Sequence, residues 1–185
     1  MFIQTEATPN PATLKFLPGK VVLDEGTREF RAASEAEPVS PLAARLFAVD
    51  GVTGVFLGSD FISVTKDNRE WQLLKPAVLG AIMEHFLSGE PVVTDGRGAG
   101  HAGEDFDPND AEIAATIKEL IETRVRPAVA NDGGDIIFRG YRHGIVYLKM
   151  QGACSGCPSS TATLRHGIES LLKHYIPEVE EVQPV

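Results

Sequence analysis

Cys154 and Cys157 are the only two cysteines among 185 residues, and two residues separate them. Thiolates at that spacing can bite one metal atom or two adjacent irons, or close a reversible disulfide. They stand in the run Gly152-Ala153-Cys154-Ser155-Gly156-Cys157-Pro158-Ser159-Ser160. Its glycines let backbone approach a bulky ligand closely, and Pro158 stiffens a helix entry whose N–H the first turn does not use.

A soft tetrahedral centre, zinc or iron–sulfur, takes four ligands, and one chain offers two cysteines. His85, His101, His143, His166 and His174 do not stand at ligand spacing from the pair. Two copies meeting at their CxxC loops supply four thiolates, so the expectation is a homodimer with a bridging cluster, exposed at the seam and transferable. Two other chemistries stay open. A thiol–disulfide oxidoreductase of thioredoxin type also puts CxxC between strand and helix, but that fold continues with further strands and a second helix, and 185 − 157 = 28 residues follow Cys157. A zinc half-site in an interaction module uses the same ligands. Two inert core cysteines fit less well, because Gly, Ser and Pro surround them rather than an apolar run.

The elements that must position the pair are a strand before it and a helix after it. Ile145-Val146-Tyr147-Leu148 reads as the strand, and Thr161 to Tyr175 as a helix with Leu164, Ile168, Leu171, Leu172 and Tyr175 on one stripe. The free N–H groups and positive partial charge of a helix start favour thiolate over thiol. Upstream, Asp107-Pro108 caps a helix with Ile113, Ile117, Leu120 and Ile121 on one face; Pro127 kinks or restarts it, and Asn131-Asp132-Gly133-Gly134 ends it. Ile136-Ile137-Phe138 then pairs with the later strand through a His143-Gly144 turn that needs positive φ, and Val179 to Val182 offers a last strand.

The first half reads as a separate unit. Phe2–Glu6 and Thr13–Leu17 alternate like strands around the turn Thr8-Pro9-Asn10-Pro11, Ser40-Pro41 opens a helix, residues 54–65 form a hairpin, and Pro76 to Leu87 is a second helix stopped by Gly89. The fold class expected is α+β, in two small domains that each pack a small β-sheet against helices. Their spans are 1–90 and 108–185, joined by a flexible Gly- and acid-rich linker over 91–107.

Lys and Arg number 17 against 26 Asp and Glu, a net charge of −9, which argues against nucleic acid or an anionic membrane as partner. With 43% hydrophobic residues the chain is globular, and no apolar run reaches the roughly 20 residues that span a bilayer. Met1 to Lys20 has neither a signal-peptide nor a transit-peptide pattern, so a cytoplasmic protein is expected. Gly98-Ala99-Gly100-His101-Ala102-Gly103 matches GxGxxG, but no helix opens after it, and a linker is the better reading. No Ser/His/Asp triad, Walker loop or hydrolytic carboxylate pair is present; an enzyme is not indicated.

Several motifs together make a family resemblance. Val125-Arg126-Pro127, Asp132-Gly133-Gly134-Asp135, the CxxC run, Thr163-Leu164 and Gly167-Ile168-Glu169 closely resemble the C-terminal domain of the NifU family. Glu6-Ala7-Thr8-Pro9-Asn10-Pro11, Lys15–Gly19, Ser40–Ala43 and Phe61–Val64 resemble the N-terminal domain joined to it in Nfu-type proteins. The resemblance implies a scaffold or carrier that holds a [4Fe–4S] cluster between the CxxC motifs of two subunits, takes it from iron–sulfur donor proteins and passes it to apo-enzymes. By that similarity Cys154 and Cys157 are the cluster ligands, and the Asp132–Asp135 segment lies near the cluster.

Overall fold

A computed structural model describes residues 1–94, 105–153 and 158–185, the side chains of 158–160 excepted. The chain divides into two compact units, Met1–Gly100 and His101–Val185, and both are α+β.

The first unit is built on five strands, β1 (Gln4–Ala7), β2 (Thr13–Leu17), β3 (Arg28–Phe30), β4 (Val52–Leu57) and β5 (Ile62–Lys66), in the order β1-β2-β5-β4-β3 with every neighbour antiparallel. The helices are α1 (Ala33–Ala36), α2 (Pro41–Phe47) and α3 (Trp71–Ser88). Phe16, Leu57 and Ile62 from the sheet meet Leu42, Leu46, Val78 and Ile82 from the helices in one core. Ser40 caps α2 as its sequence suggests, its hydroxyl oxygen accepting from Ala43 N at 3.1 Å while the hydroxyl donates to Val92 O at 2.6 Å.

The turn at residues 8–11 is held locally. Asn10 Oδ1 accepts from Ala12 N at 3.0 Å, and the Thr8 hydroxyl lies 2.8 and 2.9 Å from the carbonyls of Asn10 and Thr13. Two details differ from the sequence expectation. Helix α3 begins at Trp71 rather than Pro76, so Pro76 stands inside it; the ladder bond that it cannot donate is offset by packing of the helix on α2. The short β3 and α1 leave too few residues for a periodic signal.

The second unit begins with β6 (Asp105–Phe106) and a 3₁₀ turn, Pro108–Asp110, capped by Asp107, whose Oδ1 accepts from Asn109 N at 2.9 Å. Helix α4 (Ala111–Leu120) widens into a π-type turn, Ile121–Val125, and resumes as α5 (Arg126–Asn131). Pro127 is the cause: it has no N–H to donate, and its ring pushes away the carbonyl four residues back. Strands β7 (Gly134–Arg142) and β8 (Ile145–Gly152) form a hairpin whose two turn residues, His143 at φ 51 and Gly144 at φ 79, carry the positive angles expected of them. Helix α6 (Pro158–Tyr175) crosses back so that β9 (Glu181–Pro184) lies parallel to β8, giving the order β6-β7-β8-β9. Ile117, Ile121, Ile136, Leu148, Ile168 and Leu172 fill the core.

Residues 95–104, most of the segment expected as linker and all of the GxGxxG match, lie outside the described residues. At its described ends that segment is attached. Thr94 N donates to Val39 O at 2.8 Å and Val92 and Val93 pack on the first core, while Asp105 and Phe106 pair with Gly140 and Tyr141. A side chain at Gly140 would collide with the Asp105 carbonyl, so β6 can lie there only against glycine.

Candidate functional site at the β8–α6 junction

Cys154 to Cys157 lie outside the described residues, but both ends of the segment that carries them are described. It leaves the sheet at Gly152, the last residue of β8, and enters α6 at Pro158, the first residue of an 18-residue helix. In the sequence the cysteine segment is thus followed directly by a helix N-terminus, which presents unpaired amides and positive partial charge.

The strand end is anchored by the loop between α5 and β7. Gly134 stands opposite Gly152 and Asp135 opposite Gln151 in the hairpin register. Ala153, 1% exposed, donates its N–H to Gly133 O at 3.3 Å. Gly133 and Gly152 have φ of 80° and 67°, values that a side chain strains. The Asp132–Asp135 segment is thus helix exit and strand entry, and it also flanks the residue before Cys154.

Beneath this loop Arg126 and Asp135 form a two-point ion pair, Nε to Oδ1 and Nη2 to Oδ2, both at 2.8 Å. Asp135 Oδ1 also accepts from Ile136 N at 2.8 Å. The hydrogen bond to Asp135 raises the pKa of Arg126 against the opposing effect of burial, so the guanidinium stays charged. Both residues belong to the motifs that carry the family resemblance, and their pairing is not evident from the sequence. The signal available was an Arg-Pro at a helix restart nine residues before a buried-strand acid.

The histidines are dispersed. His85 is buried in the first unit, His143 is in the hairpin turn, and His166 and His174 lie on α6, where His174 meets the Tyr175 ring edge-on at 5.1 Å; His101 lies outside the described residues. Among the described residues, no three of His, Cys, Asp and Glu gather as a metal site. No helix among them is long and apolar enough to cross a membrane.

Two family models match the chain: Scaffold protein Nfu/NifU N terminal over residues 3–89, and NifU-like domain over residues 117–183. The human "NFU1 iron-sulfur cluster scaffold homolog, mitochondrial" is 52% identical over 187 aligned residues, which take in all of this chain and 72% of the human protein. The chain belongs to the Nfu family of iron–sulfur cluster scaffolds. Other Nfu relatives include "NifU-like protein 4, mitochondrial" of Arabidopsis thaliana, 50% identical over 99% of this chain and 65% of its own length. The Drosophila virilis protein, with the same name as the human one, is 52% identical and is matched over 62% of its length. This Nfu chain therefore spans between about three fifths and three quarters of these relatives. A solution NMR structure of a NifU-like protein from Saccharomyces cerevisiae aligns with 51% of the chain and 86% of itself, at 27% identity and a TM-score of 0.46.

These names correct one expectation. A cytoplasmic location is overturned by relatives named as mitochondrial. It rested on the lack of a targeting pattern in Met1 to Lys20, and the relatives are longer than this chain, so that lack carries no weight.

Proposed function

We propose that Cys154 and Cys157 are two of the four thiolate ligands of a [4Fe–4S] cluster, and that the same pair from a second copy supplies the other two. The cluster is cargo. It leaves when thiolates of an acceptor replace those of the homodimer one by one, a ligand exchange in which no electrons move, so the role is delivery rather than turnover. The supporting observation is the placement of a two-cysteine segment at the start of α6 in a chain of the Nfu family, a position suited to anionic sulfur. Loading from donor proteins and release to apo-enzymes follow from a scaffold role, and recognition of those partners falls to the first unit. The working domains are 1–90 and 108–185, with 91–107 as the connection.

Anaerobic reconstitution with iron and sulfide tests this. About one cluster per two chains is expected, since two cysteines per chain must make four ligands, together with a doubling of mass on loading. Cys154→Ala or Cys157→Ala should abolish both. A variant that still bound a full cluster would sink the assignment of the ligands. Thiol–disulfide turnover without iron, or zinc that resists replacement by iron, would each sink the cluster itself.

A further inference from the structure

The end of α3 closes over a histidine. His85 is fully buried one turn from the end of the helix, and among the described residues its two ring nitrogens find no hydrogen-bond partner of normal geometry. Gly89, the C-cap, has φ 74, and this left-handed turn directs the chain off the helix axis. Glu90 follows at once and bears on the imidazole through both its backbone and its carboxylate. A buried polar ring without a good partner costs free energy that an apolar side chain would not, so packing alone gives no reason for histidine here.

Residues 90–94 form a strap tied to α2 and to the residues just before it. Arg45 of α2 donates from Nη2 to Glu90 Oε2 at 2.8 Å and from Nη1 to Glu84 Oε1 at 2.9 Å, so one guanidinium joins α2, α3 and the strap. Further along, the Ser40 hydroxyl donates to Val92 O at 2.6 Å, and the N–H and hydroxyl of Thr94 donate to Val39 O at 2.8 and 3.1 Å. The charged groups around the imidazole decide what a proton there does. Arg45 faces it from α2 and Glu90 from the strap; Glu84, on α3 itself, is engaged with Arg45, and Lys20 lies 5.9 Å from the centre of the neighbouring Phe86 ring. A proton on His85 sets a second cation beside Arg45, and the carboxylate that bears on the ring, Glu90, is already held by that arginine. Burial and Arg45 therefore disfavour the proton while the strap is closed. Under an open strap the imidazole meets water and takes the proton at the ordinary value of about 6.5.

We propose that His85 is a proton-operated latch on the strap 90–94: the neutral ring lies under a closed strap, and the imidazolium requires it open. The open form binds the proton more tightly, so the strap is held in full above a pH of about 6.5 and loosens below it, by at most about tenfold in the opening ratio per pH unit. Glu90 does not titrate in that range, since Arg45 holds its carboxyl below the usual carboxylate values. The strap ends where the connection to the second unit begins. Opening it adds residues 90–94, roughly 16 Å at full extension, to that connection.

Native-state hydrogen exchange of the full chain tests this, with each rate read as protection against the unstructured rate at the same pH. Thr94 N, bonded to Val39 O, reports the strap, and the slowest amides of β5 report unfolding of the whole unit. At pH 7.5 Thr94 N should be less protected than those amides and indifferent to low urea, which marks a local opening. Between pH 7.5 and 5.5 its protection should fall about threefold or more. His85→Leu should remove that fall, with circular dichroism checking the fold. A Thr94 N that follows the β5 amides in protection and in urea dependence overturns the latch, because the strap then leaves only with the whole unit. A fall smaller than about threefold overturns it as well, as does a fall that persists in His85→Leu. The first two outcomes are read on the unaltered chain, so they decide the matter even where the variant does not fold.

Discussion

Arg126 grips Asp135 through two parallel hydrogen bonds of 2.8 Å, and the carboxylate lies beside the backbone that leads to Cys154. The Asp135 side chain is 5% exposed and that of Arg126 31%, so the carboxylate depends on the guanidinium while the guanidinium keeps some water. Removing the partner of a buried charge costs several times what a surface pair contributes. Arg126→Ala should lower the stability of the second unit by about 2–3 kcal/mol, and Arg126→Lys, which keeps the charge but loses the fork, by about 1–2 kcal/mol. Both should shorten the lifetime of a reconstituted cluster, measured by loss of its visible absorption against a chelator. Equal lifetimes in a variant that is measurably less stable would separate the ion pair from the cysteine loop.

Ser40 performs two tasks with one hydroxyl: it caps α2 at Ala43 N and donates to Val92 O, 52 residues away. Ser40→Ala removes both from a fully buried position and leaves a carbonyl without that donor, at a cost of about 1–2 kcal/mol. Trp71, the chain's one tryptophan, sits in the first unit and reports its unfolding in urea without interference from the second. Faster hydrogen exchange at Thr94 N, whose bond to Val39 O ends the same segment, should accompany the loss. A midpoint unchanged in Ser40→Ala would mean that packing of Val92 and Val93 alone holds the segment.

Local chemistry explains which parts of the molecule could be read in advance. Ser40-Pro41, Asp107-Pro108 and His143-Gly144 state their own backbone geometry, so the start of α2, the capped turn that leads into α4 and the β7–β8 turn were legible. Pro127 announced a break but not its form, because a π-type turn depends on what α4 and α5 pack against. The two-residue β6 was invisible, since its place is set by the absent side chain of Gly140 on another strand. The cysteine pair was legible as chemistry. Its support was not: Arg126 and Asp135 meet only once the α5–β7 loop has folded, and nothing in a nine-residue spacing shows that.

His85 lies fully buried on α3, and among the described residues neither ring nitrogen has a hydrogen-bond partner of normal geometry. Burial first, and then the charge of Arg45, push its pKa below the ordinary value, with Glu90 opposing. The unfolded chain therefore takes up a proton before the folded one does. Stability is complete above the ordinary histidine value of about 6.5 and drains as pH falls below it. His85→Leu removes a polar group that makes no bond and keeps the apolar contact, so it should hold or raise the urea midpoint read by Trp71 at pH 7 and flatten its fall towards pH 5. An equally steep fall in the variant would place the acid sensitivity of this unit elsewhere.

Glu169 ties α6 to β9: one oxygen accepts from Lys173 Nζ at 2.8 Å and the other from Val182 N at 3.4 Å. Lys173 holds its carboxyl below the usual range, with smaller help from Val182 N, against the cost of burial. Here too the unfolded state binds the proton first. The contribution is whole above the ordinary glutamate value of about 4.3 and is lost as pH drops through the lower folded value. Glu169→Gln can still accept from Val182 N but no longer pairs with Lys173 as a charge. Its second unit should be slightly less stable at pH 7 and lose less between pH 5 and 3, followed by hydrogen exchange at β9. Because Glu169 lies three turns along α6 from Pro158, iron and sulfide loading at pH 7 should not change. A loading defect in Glu169→Gln would show that the far end of α6 is coupled to the cysteine loop, which the local hydrogen bonds give no reason to expect.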